Sequence, residues 1–261
     1  MIDYTTNLPR RLAQIQILAC LILVNISALC TVPSSQGQSL TGKQIIDRMF
    51  ATYTSAKTYQ DEGVVQIRHV KKDKGLLDYV NSEDHIQTIK FTTAFIRDKQ
   101  QFRFHFDQDG KPRSCYTVAA VGKRVKTWWT ITPTKEGNNE ESLTSALGIA
   151  AGISGTSSGK IPSLLLNEEV SQNWTIRQVN NWRLIKIVTQ HNRQCYLFEG
   201  SVKKKEKVAI YIDTQNLLVL RINHLVDKSD AVFSFTMTYK PLLNKAVPAQ
   251  AVAMVDVCGD S

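Results

Sequence analysis

The chain has 261 residues, of which 43% are hydrophobic, and a formal net charge of +9. This length and composition predict one sizeable domain with its own core. No repeat of about 20 to 50 residues is visible, which excludes solenoids and propellers. The basic charge is typical of proteins that meet anionic lipids or nucleic acid.

The first 37 residues have the pattern of a secretory signal peptide. Arg10 and Arg11 precede an apolar stretch at 17–29, and a small polar segment follows at 32–38. The apolar stretch is shorter than the roughly 20 residues of a membrane-spanning helix. We therefore predict a signal peptide at 1–37, cleaved after Gly37, and export to the periplasm. An uncleaved anchor and lipidation of Cys30 are the alternatives. Export excludes nucleic acid as the partner.

A strong helix pattern opens the mature region. Thr41 and Gln44 have the spacing of a capping box, and Ile45, Met49 and Tyr53 recur at helical intervals. We expect this helix to lie with its apolar face against the rest of the domain.

From about residue 63 the apolar period changes to two. Phe102, Phe104 and Phe106 alternate with Arg103 and His105, which predicts a strand with one dry face and one wet face. Short gaps at 97–101 and 107–112 predict hairpin turns. Further strands are predicted at 114–120 and 123–130, so the connectivity is antiparallel.

An insertion at about 132–170 interrupts the strands. A small-residue helix is predicted around Leu143 and Leu147, and a Gly/Ser-rich link follows at 152–160. This link is not a phosphate-binding loop, because Ser154 replaces the required glycine and Ile161 follows Lys160. We interpret it as a flexible hinge, and Leu143, Leu147 and Ile149 as the apolar stripe of a lid.

Strand patterns resume after the insertion, at 183–189, 194–199, 208–213, 217–226 and 232–239. A charged hairpin tip at 200–207 could approach anionic membrane headgroups; its basic residues are Lys203, Lys204, Lys205 and Lys207. About ten antiparallel strands and few helices predict a mainly β (α+β) domain over residues 38–261, built on a strongly curved sheet.

The cysteines and histidines favour no metal or catalytic site. Outside the signal peptide, Cys115, Cys195 and Cys258 are too widely spaced for a zinc cluster or a redox pair. A Cys115–Cys195 disulfide and three free thiols both stay open. The histidines are scattered, and we place His105 and His224 on the polar face of the sheet. No nucleophile motif is present, so we predict no enzyme and no cofactor.

Large apolar side chains carry the functional hypothesis. A curved sheet with few helices leaves a concave face that its own side chains fill poorly, and such apolar pockets bind ligands. We predict that acyl chains bind to Phe91, Phe95, Phe102, Phe104, Phe106, Trp129, Leu143, Leu147, Phe233, Phe235 and Met237.

Three stretches, at 45–63, 91–106 and 148–166, resemble the superfamily of the periplasmic lipoprotein carrier LolA and the receptor LolB, in particular a LolA-like branch. The resemblance implies an unclosed antiparallel β-barrel whose mouth is covered by helices. It also implies a hydrophobic cavity and transport or sensing of lipidated cargo without a cofactor. We predict a monomeric carrier for a lipid or lipoprotein; the alternative is a periplasmic regulatory or scaffold module that binds a partner protein.

Overall fold

An antiparallel sheet of twelve strands dominates the described part of the chain. The computed structural model describes residues 40–71, 86–108, 114–131, 134, 136–166, 176–203, 205–229 and 231–258. The predicted signal peptide, Cys30 and Lys204 lie outside these residues.

The strands follow one another in chain order with few crossings. They are β1 (Thr58–Lys71), β2 (Ile86–Ile96), β3 (Gln101–Gln108), β4 (Ser114–Val121), β5 (Arg124–Trp129), β6 (Asn138–Glu140), β7 (Asn180–Gln190), β8 (Arg193–Lys203), β9 (Glu206–Asp213), β10 (Val219–Asp227), β11 (Ala231–Tyr239) and β12 (Leu242–Leu243). The sheet order is β6-β5-β4-β3-β2-β1-β11-β10-β9-β8-β7, and β12 pairs with β1. The sheet is strongly curved and not closed, which confirms the predicted fold class. The short strands β6 and β12 were not predicted.

Within the described residues, three α-helices accompany the sheet: α1 (Gly42–Thr54), α2 (Leu143–Ile153) and α3 (Pro162–Leu165). Short 3-10 helices lie at Ser157–Gly159, Ile176–Gln178 and Ala249–Val252. The predicted capping box of α1 is confirmed, since the side chains and backbones of Thr41 and Gln44 bond reciprocally. No described helix combines the length and the apolar character that a membrane crossing requires.

Strand register defines an inner face, which bears Phe91, Phe104 and Met237. Phe91 pairs with Phe106 and Gly63 with Tyr239, so aromatic side chains form rows across neighbouring strands. The predicted common interior is confirmed: the five phenylalanines of β2 and β3 all belong to one buried cluster. The three helices pack on this face and complete the core.

The outer face is not uniformly wet, contrary to the sequence prediction. Residues 247–258, the C-terminal segment, cross the outer face of β2, β3 and β4. Arg103 points outward as expected, yet it is buried there and donates to the Gln250 carbonyl at 3.0 Å. Ala94 and Ile96 pack against Val252 in a second, smaller core. Some outward-facing residues of these strands therefore contact solvent, and others contact the C-terminal segment.

A disulfide holds the C-terminal segment in place. Cys115 on β4 is bonded to Cys258, and Cys195 is free and buried on β8. The Cys115–Cys195 pairing and the three-thiol alternative were therefore both wrong. The pairing depends on a segment without periodic pattern that returns across the sheet, which local spacing does not reveal.

The lid segment, residues 143–166, is buried more deeply than predicted. Ser154, Ser157, Ser158 and Gly159 are buried, so the link is not an exposed hinge. Ser158 Oγ donates to the Leu147 carbonyl at 2.9 Å, which ties the link to α2. Small side chains allow this close approach of backbone to backbone.

Candidate functional site

The predicted ligand residues gather on the inner face. All of them except Phe233 belong to the main core cluster or pack against it. Phe104 is 0% exposed, whereas Trp129, Leu143 and Phe235 are half-buried. The middle of the face is therefore filled by its own side chains, and open apolar surface is found towards its ends.

A cavity of about 640 Å³, which we call the mouth groove, lies beside Leu143 and Leu166, the first and last residues of the lid segment. Its apolar wall combines three predicted residues, Phe95, Phe102 and Leu143, with Leu165 and Leu166 from the end of α3. The volume falls within the range of small-molecule sites, roughly 300–1,000 Å³. The groove lies where the lid segment meets the turn ends of β2, β3 and β4.

Arg97 connects the helices at the rim of the mouth groove. Its Nε donates to the Ala56 carbonyl at 2.7 Å, and its Nη2 donates to the Leu165 carbonyl at 3.0 Å and to the Tyr53 carbonyl at 3.3 Å. The guanidinium also lies 4.8 Å from the centre of the Phe95 ring. One side chain thus links the C-terminal ends of α1 and α3 to the end of β2, and the Tyr53 carbonyl also accepts from the Ala56 amide at 3.2 Å.

Helix α2 runs from the mouth groove along the inner face. Ser142 caps it by accepting from the Ser145 amide at 3.1 Å. Leu147 is buried as predicted, but Ile149 is 44% exposed and does not contribute to the apolar stripe. Beyond the helix, Gly155 adopts φ +60°, and a Cβ at this position would lie 2.9 Å from Val65 and Ile67. Glycine is therefore required for the lid segment to contact β1.

Ionisable groups meet around Lys160, in a part of the lid segment that does not line the mouth groove. Lys160 follows the 3-10 helix and is buried, and burial lowers its pKa to about 8. His224 was predicted on the polar face, but it pairs with Phe235 on the inner face and is buried. Burial, and then the charge of Lys160, lower the pKa of His224 to about 3. Its Nε2 lies 3.5 Å from Glu206 Oε2, a contact between a neutral ring and a carboxylate rather than an ion pair.

A buried carboxyl lies between the two ends. Asp61 accepts from Tyr59 Oη at 2.7 Å and from the Thr93 amide at 2.9 Å. Burial raises its pKa to about 7, although both hydrogen bonds favour the charged form. The phenols of Tyr53, Tyr59 and Tyr239 have raised pKa values for the same reason.

A second cavity, of about 900 Å³, is lined mainly by the outer face. Val64, Lys90 and Thr238 lie in one row across β2, β1 and β11, with Arg193 and Leu242 at one side. Its lining mixes apolar and charged groups of both signs. None of the predicted ligand residues except Phe91 borders it.

Possible metal ligands meet once among the described residues, at His105, Cys115 and Cys258. The two sulfurs are joined in the disulfide, so neither is a thiolate that could bind an ion. His105 instead contacts Thr117 Oγ1 at 2.9 Å.

Sequence analysis missed Arg97, Lys160, Glu206 and His224 as site residues. A signal existed for His224, because it has the same strand parity as Ile222 and Val226. No local pattern singled out Arg97 in its turn or Lys160 in the failed phosphate-loop motif.

Comparisons with known proteins give structural similarity only. No known family model matches the chain, and a comparison with curated proteins finds no match. Similar solved structures include MucB, at 11% identity and TM-score 0.45, covering 83% of this chain. The chain spans 63% of the MucB chain. LppX of Mycobacterium tuberculosis is 11% identical over 78% of this chain and 95% of its own, with TM-score 0.42.

A LolA superfamily protein from Nitrosomonas europaea is 8% identical over 82% of this chain and 98% of its own, with TM-score 0.36. Every one of these three scores is below 0.5, so the matches carry no argument about function. They do include a member of the superfamily that the sequence resembles.

Proposed function

We propose that this protein is an exported carrier that binds the acyl chain of a lipid or lipoprotein between the lid segment and the inner face of the sheet. The observation that supports this most strongly is the mouth groove, where the buried Phe95 and Phe102 and the half-buried Leu143 form one apolar wall. Residues predicted for ligand binding from two distant parts of the chain meet there.

Entry would begin at the mouth groove and displace the lid segment from the inner face. Each CH₂ group transferred from water contributes about 0.8 kcal/mol. Arg97 would resist this displacement, because its three hydrogen bonds join the helices to the end of β2. Release then depends on lid opening rather than on chemistry.

A fluorescent fatty-acid probe tests the groove directly. We expect Leu143→Arg to weaken probe binding at least tenfold, because it places a charge in the apolar wall. Ile149→Arg is the matched control, since Ile149 lies on the same helix with an exposed side chain. Equal binding by the wild type and both variants would exclude the groove, and absence of binding by the wild type would exclude the carrier function.

A second candidate function is favoured by the outer cavity. It is larger than the mouth groove, at about 900 Å³ against about 640 Å³, and it is lined by charges of both signs. A regulatory or scaffold module would bind a partner protein here while its filled inner face served only as a core. Under this function, Thr238→Arg would abolish partner capture and Leu143→Arg would not.

Contact with a membrane surface would assist a carrier. Lys205 and Lys207 are exposed at the β8–β9 hairpin. Anionic surfaces attract such residues by about 1 kcal/mol each. Sedimentation with vesicles of anionic and zwitterionic lipid, compared for wild type and Lys205→Glu, tests this contribution.

A further inference from the structure

Exposed cations lie beside the mouth groove, on segments at one end of the strands. We call them the basic rim: Lys57, Lys99, Lys123, Arg124 and Lys245. Within the described part of the chain, none of these side chains forms an ion pair. Other exposed lysines do, since Lys43 pairs with Asp47 and Lys240 pairs with Glu62. The basic rim therefore carries charge that the fold itself does not neutralise.

Hydrogen bonds join the segments that carry the basic rim. The Arg97 amide donates to the Lys57 carbonyl at 2.9 Å. Thr58 Oγ1 donates to the Lys245 carbonyl at 2.7 Å. The Gly122 amide, in the β4–β5 turn, donates to a carbonyl of the β2–β3 turn at 3.0 Å. The cations therefore belong to one continuous surface.

The mouth groove opens within this surface. Arg97, Gly122 and Lys123 line the cavity together with its apolar wall. Asp98 and Glu141 are exposed carboxylates of the same region, so the cations outnumber the anions. A bilayer of anionic lipids has the complementary arrangement, a negatively charged headgroup layer over an apolar interior. The mouth-groove end therefore fits such a surface in both charge and apolar character.

The lysine-rich β8–β9 hairpin lies at the opposite end of the strands. Strand register places this hairpin level with His69 of β1, whereas the basic rim is level with Thr58. At about 3.3 Å per residue, these two positions are roughly 35 Å apart along the strand. That separation exceeds the Debye length of about 10 Å at 0.1 M salt, so one membrane surface cannot attract both ends at once.

We propose that the basic rim docks on an anionic lipid bilayer, with the mouth groove facing the headgroups through which an acyl chain enters or leaves. This inference rests on the proposed carrier function and names its docking face and partner. Docking through the β8–β9 hairpin would instead turn the mouth groove away from the bilayer.

Sedimentation with vesicles of equal parts phosphatidylglycerol and phosphatidylcholine tests this face. Lys57→Glu/Lys99→Glu reverses two charges of the basic rim, and neither residue lines the mouth groove. Lys205→Glu/Lys207→Glu is the matched control, with the same change of charge at the opposite end. We expect the rim variant to bind the vesicles at least tenfold more weakly than the wild type, and the control less than about threefold more weakly.

Equal losses in the two variants would indicate attraction by net charge alone and would overturn the docking face. A larger loss in the control, or a wild type that does not sediment with these vesicles, would overturn it as well. The fluorescent fatty-acid probe, added without vesicles, reports on the carrier function separately. The rim variant should bind this probe as tightly as the wild type but deliver it to the vesicles at least fivefold more slowly. Delivery at the wild-type rate would refute the proposal while the carrier function stands, whereas a wild type that does not bind the probe would exclude the carrier function.

Discussion

The lid segment lies against a cation at two places, half-buried Arg97 at the mouth groove and buried Lys160 at what we call the Lys160 end, and the two cations have different partners. At the mouth groove, Arg97 donates to three backbone carbonyls and joins two helices to the sheet. At the Lys160 end, the described residues include no hydrogen bond from the buried ammonium, and the Glu206 carboxylate acts on its charge. The difference indicates that one cation is fixed by backbone carbonyls of the closed structure, whereas the other is balanced by the charge of a side chain.

The middle of the inner face should respond most strongly to truncation. Phe104→Ala removes a fully buried ring between the two ends and should lower the free energy of unfolding by about 3–5 kcal/mol. Phe233→Ala removes a half-buried ring at the Lys160 end and should cost under about 2 kcal/mol. Urea denaturation of both variants measures this contrast; equal losses would show that the Lys160 end is as tightly packed as the middle.

The disulfide should affect the mouth end more than the Lys160 end. Cys258→Ser releases the C-terminal segment from β4, and a disulfide closing a long loop stabilises by about 2–5 kcal/mol. Hydrogen exchange should rise in β2 and β3 around Ala94 and Arg103, which the segment covers. Cys195→Ala, which alters a free thiol on β8, a strand distant from β4 in the sheet, is the control. Faster exchange in β9 and β10 instead would contradict this localisation.

Neutralising the two cations should change stability in opposite directions. Arg97→Met removes three hydrogen bonds, including those to the Ala56 and Leu165 carbonyls, and should destabilise the protein by about 2–3 kcal/mol. Lys160→Met removes a desolvated charge and should be neutral or stabilising by about 1 kcal/mol. Thermal unfolding of both variants in the absence of lipid measures the signs. A large loss for Lys160→Met would mean that this ammonium already stabilises the closed structure.

The buried carboxyl of Asp61 should make the free energy of unfolding depend on pH. The pKa of Asp61 is about 7 in the folded protein, whereas the ordinary value is 3.8. Between these values the folded state keeps a proton that the unfolded state has lost, so this contribution to stability falls as pH rises and is constant above about pH 7. The stability of the wild type minus that of Asp61→Asn should therefore decrease by a few kcal/mol from pH 4 to pH 7. Subtraction cancels the opposite contribution of His224, whose pKa is lowered. A flat difference would contradict the raised pKa.

Most of the sheet could be predicted because alternation is a local property. Phe102, Phe104 and Phe106 establish both the strand and its buried face, and the register confirms them. Helix α1 could be predicted equally well, since its capping box lies within four residues. The short strand β12 carries too few residues to show a period.

Features that depend on contacts between residues far apart in the sequence could not be predicted from local alternation. Cys258 reaches Cys115 from 143 residues away, and the segment that carries it has no periodic pattern. The same return buries Arg103, which alternation alone places in solvent. Lys160 belongs to a Gly/Ser-rich link, where composition indicates exposure, but small side chains also permit burial against β1, as Gly155 shows. The sequence therefore predicted the apolar residues of the mouth groove, whereas the surroundings of Arg97 and Lys160 became visible only in three dimensions.

Hydrogen exchange of the lid segment, with and without myristate, tests the central claim most directly. Amides of α2 and the following 3-10 helix should exchange faster than those of β2 and β3, because a lid must open more readily than the sheet. Saturating myristate should slow them at least tenfold. Equal exchange of the lid segment with and without myristate would contradict an acyl-binding site beneath it.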